Sequence, residues 1–199
     1  MDKRYAAEFA GTFFMVLCGT GSIALGWSPF FVSFSFGLAV TIAILVFQPI
    51  SGAHINPAVS IAFAARGNLE QKALPGYIIA QVLGGFFAAL IIAEGPTTPR
   101  VSMPTAWGIE IAITLILMFS ILVLVRSNAS LRVLAIGVGL TVAILAFFFG
   151  EFTGAGMNPA RSIGPNIVTG TGNLILYSVA PVVGAVLANF IPGPLDEEP

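Results

Sequence analysis

Apolar residues fill six long runs of this chain, near positions 5–26, 30–49, 72–93, 105–125, 131–150 and 173–192. Each run approaches the roughly 20 residues with which an α-helix crosses a bilayer. Polar interruptions inside them are few, and the acidic ones stand at Glu8 and Glu110. Between the second and third run of each half lies a shorter apolar piece, too brief to span, that opens with glycine and proline. The pattern predicts six membrane-spanning helices and two shorter segments.

The pattern is duplicated. Ser51-Gly52-Ala53-His54-Ile55-Asn56-Pro57-Ala58-Val59-Ser60 returns as Thr153-Gly154-Ala155-Gly156-Met157-Asn158-Pro159-Ala160-Arg161-Ser162. Glu8, Thr12, Gly37 and Leu38 have counterparts in Glu110, Thr114, Gly139 and Leu140, every pair 102 residues apart. A weaker echo pairs the stretch from Tyr77 to Gly84 with that from Tyr177 to Gly184, at a spacing of 100. Two repeat halves, about 5–93 and 105–192, therefore make one membrane domain over 1–199, with an acidic tail at 193–199. A period of this length is too long for a solenoid.

Each half carries three spans. An odd number makes the second copy enter the membrane in the opposite direction from the first, and inverted repeats build their site at the interface near the midplane. The expected class is an all-α membrane protein.

Composition sharpens this. Hydrophobic residues make up 57% of the chain and charged ones 9%, against about 25% charged in ordinary soluble domains. Mean hydropathy is +0.97. The first run is read as a retained helix rather than a signal peptide, because Glu8 lies inside it, it is too long, and no small-residue cleavage site follows. Lys3, Arg4, Arg66, Lys72, Arg126 and Arg132 fall on one side of a six-span arrangement, and Arg100 and Arg161 on the other. The positive-inside rule then puts both termini in the cytoplasm of a multi-pass protein of the cell (inner or plasma) membrane. A net charge of −1 offers nothing to nucleic acid, and Asp196-Glu197-Glu198 reads as a solvated end. The single cysteine, Cys18, excludes an intrachain disulfide. One histidine and no nucleophile–base pair, metal cluster or phosphate loop argue against an enzyme, a cofactor or a metal site.

Chemistry concentrates in the two Asn-Pro-Ala segments. Pro57 and Pro159 suit the first turn of a helix, and asparagine before them suits the cap. Each segment is expected to be an extended strand leading into a half-helix. Non-helical backbone at membrane depth is tolerated only when buried in protein or lining a watery cavity, so a polar lumen is implied. The carbonyls of Gly52, Ala53, His54 and Ile55, and of Gly154, Ala155, Gly156 and Met157, are expected to form an acceptor ladder along it. Inverted repeats bring both half-helices together by their N-termini, each carrying roughly half a positive charge. That centre repels cations while the Asn56 and Asn158 amides donate to a solute oxygen.

The paired boxes, the Ala-Glu-Phe-Ala-Gly-Thr start at 7–12, the Ala-Gln-Val-Leu-Gly-Gly run at 80–85 and the Asn-Pro-Ala-Arg-Ser ending resemble the major intrinsic protein family, the aquaporins and aquaglyceroporins. The resemblance covers 5–192. It implies the aquaporin fold, six transmembrane helices plus two re-entrant half-helices, assembled as a homotetramer with one pore per subunit. It implies that Asn56, Pro57, Ala58, Asn158, Pro159 and Ala160 form the pore motifs and that Phe36, Ala146, Ala155 and Arg161 form the aromatic/arginine filter. Glu8 and Glu110 are implied to brace the re-entrant loops. Dedicated water channels have histidine where Ala146 stands, which favours a wider filter. Glycerol channels usually carry Asp after the motif arginine, where this chain has Ser162, the water-channel residue. One aromatic, two small residues and an arginine resemble the solute-permeable nodulin-like branch.

The resemblance thus implies a passive channel for water and small uncharged solutes such as glycerol, urea and neutral metalloid hydroxides like arsenous acid, excluding protons and ions. A strictly water-selective aquaporin is the alternative. A secondary active transporter fits less well, because the spans hold almost no charge beyond Glu8, Glu110 and Arg161. A non-conducting family member usually lacks the arginine or an intact box. His54 is read as a brace for its loop in preference to a pH sensor. The Phe147-Phe148-Phe149 run is read as lipid-facing or core, and Gly84, Gly85, Gly184 and Ala185 as sites of close helix packing.

Overall fold

Every long apolar run forms a helix that starts at a cap or a proline and stops where the backbone turns left-handed or tightens. The computed structural model describes residues 2–192; Asp196, Glu197 and Glu198 lie outside the described residues. The described chain forms α1 (Lys3–Ala24), α2 (Pro29–Ser51), α3 (Pro57–Ala65), α4 (Leu74–Ile92), α5 (Met103–Arg126), α6 (Leu131–Thr153), α7 (Pro159–Thr169) and α8 (Leu174–Ala188). Asp2, Ser102, Ser130 and Asn173 cap α1, α5, α6 and α8 through their side chains. Gly52 and Gly154, with φ of 88° and 78°, end α2 and α6. Five of these helices are long and apolar enough to cross a membrane.

The sixth span is shorter than the run 173–192 predicts. Helix α8 has 15 residues, about 22 Å of rise. The chain beyond it tightens, with the N–H groups of Asn189, Phe190 and Ile191 bonding three residues back. Asn189 is diverted to the end of α3, where its Nδ2 donates to Ala62 O at 3.0 Å and its carbonyl accepts from Arg66 Nη1 at 3.4 Å. A polar residue that closes another helix cannot sit in a lipid-facing turn of its own.

Glycines set the packing. An added Cβ at Gly84 would lie 2.5 Å from Phe9 O, and one at Gly184 would lie 2.2 Å from Ile111 O. Helices α1 and α4 run parallel through the first of these contacts, α5 and α8 through the second. Helices α2 and α6 cross antiparallel, since Phe30 meets Phe147 while Thr41 Oγ1 reaches Ala135 O at 3.3 Å. At their crossing Gly37 and Gly139 face each other, and a Cβ on either would stand 2.5 Å from the other's carbonyl oxygen. These are counterpart positions, so equivalent helices run in opposite senses about a pseudo-two-fold axis. The repeats are inverted. Half-helix α3 packs on α8 and α7 on α4, so each half closes on the other.

Burial departs from that of a soluble domain in what it leaves outside and in the charge it encloses. Glu8, Glu110, Gln81, Thr12 and Thr114 are wholly buried, whereas Ile79, Ile91, Phe148 and Ile175 are more than half exposed. Phe149 packs against the core. This is a multi-pass membrane protein.

Gly139→Ala forces a methyl against a rigid carbonyl and should cost about 1–3 kcal/mol. Gly108, on the exposed face of α5, has open space around it, so Gly108→Ala should leave stability unchanged or slightly raised. Thermal unfolding in detergent, followed by tryptophan fluorescence, should show a lowered midpoint for the first variant only; equal midpoints would refute the tight crossing.

Candidate functional site

A cavity of about 1010 Å³ follows α2 from Pro29 to Gln48 and α6 from Leu134 to Glu151. Nineteen helical steps rise about 28 Å, close to the hydrocarbon thickness of roughly 30 Å. Trp27, Phe30, Arg100 and Phe147 line one end, Phe63, Asn68 and Val125 the other, and Asn56 and Asn158 lie along it. Phe147, read from sequence as lipid-facing or core, is a cavity residue at the mouth.

The half-helices build the middle. Asn56 Oδ1 caps α3 by accepting from Ala58 N at 2.9 Å, and Asn158 Oδ1 caps α7 by accepting from Ala160 N at 3.0 Å. Pro57 and Pro159 follow at the first helical positions, where a missing N–H leaves no bond unmade. Each amide then crosses the pseudo-two-fold axis. Asn56 Nδ2 donates to Met157 O at 2.9 Å, and Asn158 Nδ2 donates to Ile55 O at 2.8 Å. One of the two hydrogens of each amide is thus committed to the opposite loop, which leaves the other for the donation to a solute expected from the sequence. The same bonds clamp the N-termini of α3 and α7 face to face.

The segments before them are not extended strands. Ala53, Ile55, Ala155 and Met157 have φ of 47°, 44°, 44° and 50°, with His54 and Gly156 between them on the negative side. Left-handed backbone costs an L-residue about 1–3 kcal/mol. The cause is a buried carboxyl. In a strand, consecutive N–H groups point to opposite sides. Here His54 N and Ile55 N both point at Glu8, at 2.9 Å to Oε1 and 2.6 Å to Oε2. Gly156 N and Met157 N point at Glu110, at 2.8 Å and 2.9 Å. Ser51 and Thr153 also donate to these carboxyls, each at 2.7 Å, and accept from Ala53 N and Ala155 N. Tyr77 Oη donates to Ser51 O at 2.6 Å, and Tyr177 Oη donates to Thr153 O. With the N–H edge turned to the carboxyl, the opposite edge of each loop, from Gly52 to Ile55 and from Gly154 to Met157, lines the cavity.

Near the mouth, Phe36, Ala146, Ala155 and Arg161 all line the cavity. Arg161 is 4% exposed. Its Nη1 donates to Thr97 Oγ1 at 2.8 Å and to Gly95 O at 3.5 Å, and its guanidinium lies 5.0 Å over the Phe36 ring. Nε and Nη2 have no protein partner among the described residues, and the side chain faces the cavity. Thr97 belongs to the linker between the repeats and was missed in the sequence. Asn166 of α7 holds it, accepting from Thr97 N at 2.7 Å and donating to Thr97 O at 3.1 Å. Only the low hydropathy of 94–100 hinted that this linker did more than connect.

The supports differ between the halves. Gln81 Nε2 donates to Glu8 Oε2 at 2.7 Å and to Ser60 Oγ at 2.8 Å, and His54 Nδ1 meets the same hydroxyl at 3.1 Å. His54 is thus tied into its loop, with its ring against Phe63 and Tyr77. In the second half Pro181 and Gly156 replace Gln81 and His54, and Ser162 Oγ is buried without a partner among the described residues. Ser162 does not line the cavity. Among the described residues no group of three or more His, Cys, Asp or Glu side chains is placed to hold a metal ion.

Known proteins agree with this architecture. The family model described as "Major intrinsic protein" matches residues 1–191. Aquaporin NIP1-2 of Oryza sativa subsp. japonica is 39% identical over 203 residues, covering 90% of this chain and 67% of that protein. Glycerol uptake facilitator protein-like 6 of Lactiplantibacillus plantarum is 35% identical over 208 residues, covering 94% and 95%. Among solved structures, the aquaglyceroporin from Plasmodium falciparum superposes with a TM-score of 0.86 at 29% identity, over 94% of this chain and 93% of that one. With matched boxes, inverted halves and a fold shared with an aquaglyceroporin, this chain belongs to the major intrinsic protein family.

Proposed function

We propose that the chain is a passive channel conducting water and small uncharged solutes, with glycerol, urea and neutral metalloid hydroxides as the solute class. The observation that carries this reading is a cavity of membrane length, pinched between the facing N-termini of α3 and α7 and edged by loop backbone. The loop carbonyls accept from a hydroxyl or water, and the Asn56 and Asn158 hydrogens not spent between the loops donate. Two helix N-termini at one point, each worth roughly half a positive charge, disfavour a cation there. Phe36, Ala146, Ala155 and Arg161 act as the filter, Arg161 supplying donors and charge. Glu8 and Glu110 act as loop supports.

Ser162 and Ala146 pointed to different solutes from the sequence, and the geometry weights them unequally. Ser162 is buried away from the cavity, whereas Ala146 is part of its wall. The wall residue supports the broad filter over strict water selectivity. Glu8 and Glu110 also lie outside the cavity lining and are occupied by loop donors, which argues against ion-coupled transport. The whole chain acts as one channel domain in the cell membrane. Both termini are cytoplasmic by the charge bias, and the subunit assembles as a homotetramer by its family resemblance.

Stopped-flow light scattering on proteoliposomes tests this. Wild type should pass water and re-swell in glycerol and urea; water flux without solute flux would refute the broad filter. Ala146→His should lower glycerol flux by about tenfold or more while water flux falls far less, a barrier increment of one factor of ten or greater. Full glycerol flux in that variant would refute the filter assignment. Arg161→Ala should raise proton or cation leak, measured with a pH dye under an imposed gradient. Glu110→Gln sets an amide among N–H donors, leaving at least one buried N–H unpaired at about 1–3 kcal/mol; it should lower both the thermal midpoint and all fluxes.

A further inference from the structure

We propose that Gly19 is a positioning residue that sets the width of the filter by holding the Phe36 ring back from the lumen. This inference rests on the reading of Phe36 and Arg161 as filter residues. A Cβ at Gly19 would lie 2.2 Å from Phe36 Cδ1, 2.3 Å from Cε1 and 2.6 Å from Cγ. The ring therefore occupies the space that any other residue of α1 would fill. The Arg161 guanidinium also lies against the ring, 5.0 Å from its centroid. Between a bare patch of α1 and a cation, the open space beside the ring is the cavity that it already lines.

A hydrogen bond between the two helices beside this contact opposes their separation to relieve a larger residue. Ser35 Oγ donates to Cys18 O at 3.1 Å, tying together the neighbours of Phe36 and Gly19. Ser22 Oγ donates to Gly19 O at 2.6 Å and fixes this turn of α1. Ordinary contact begins near 3.4 Å, so a methyl at Gly19 drives the ring more than an ångström toward Arg161 and the lumen. The second repeat shows the other arrangement. The counterparts of Gly19 and Phe36 are Ile121 and Val138, and both side chains line the cavity directly. There the bulk is shared between two helices; in the first half all of it is carried by Phe36, and the glycine is what makes room for it.

Four proteins test this in proteoliposomes by glycerol and water permeability: wild type, Gly19→Ala, Phe36→Leu and the double variant. Gly19→Ala should lower the ratio of glycerol to water permeability by about tenfold. In the Phe36→Leu background the same change should move the ratio by less than about twofold, because the group through which Gly19 acts is gone. An unchanged ratio in Gly19→Ala, or an equal fall in both backgrounds, overturns the proposal. Should Gly19→Ala not fold, the double variant must fold and conduct, and its failure also overturns it. A wild type that passes water alone would refute the broad filter separately. The displaced ring is then read as a fall in water permeability that Phe36→Leu reverses, and no fall overturns the role of Gly19.

Discussion

Two buried carboxyls determine the shape of both loops that face the lumen. Glu8 and Glu110 each collect two consecutive backbone N–H groups and a hydroxyl, and this forces left-handed backbone at Ala53, Ile55, Ala155 and Met157. Without those acceptors the loops would have no reason to hold four costly torsions, and their N–H groups would be unpaired in a medium that cannot hydrogen-bond them. Once the N–H edge is spoken for, the opposite edge of each loop is left to the cavity, where the Ile55 and Met157 carbonyls also receive the facing asparagine amides. Strain, support and lumen polarity are thus one arrangement, repeated twice. Joining the copies, the Asn56–Met157 and Asn158–Ile55 bonds make each loop the keeper of the other's helix N-terminus.

Much of this was legible in the chain. The 102-residue offset and the Asn-Pro-Ala boxes named the half-helices, and the intramembrane glutamates stood out because a bilayer rarely tolerates a carboxyl without a reason; their bracing role came from the family resemblance. Span positions followed from hydropathy, except at α8, where Asn189 leaves its own helix to close α3. The loop conformation was not legible. Alanine, isoleucine and methionine carry no preference for positive φ, and the carboxyl that imposes it sits more than 40 residues away in the chain. Gly19 was equally silent, since a glycine in an apolar helix reads the same whether it admits a backbone or a ring.

The pseudo-symmetry is close in the scaffold and broken in the lumen. Phe36, Ala146, Ala155 and Arg161 have as counterparts Val138, Ile44, Ala53 and Val59, and all eight residues line the cavity. One end therefore carries a cation, an aromatic face and free donors, and the symmetry-related end carries aliphatic groups. The Arg161 guanidinium is a charged donor facing the cavity that has no equivalent at the symmetry-related positions. The asymmetry of charge and aromatic surface along the cavity is thus carried by side chains at duplicated positions, not by the scaffold.

What fixes the arginine at that end is not part of the duplicated unit. Valine at the counterpart position needs no polar partner, whereas a guanidinium at membrane depth is costly unless its donors are met and its position held. Residues 94–100 lie between the repeats; from them come the Thr97 hydroxyl and the Gly95 carbonyl that receive Arg161. Asn166 then fastens Thr97 to α7, the same short helix that carries Arg161, so linker and arginine move as one body. Duplication supplies a symmetric conduit with two facing dipoles, and the unduplicated linker lets one mouth hold a charge that the other cannot. The electrostatic asymmetry of the cavity follows from the segment that joins the repeats.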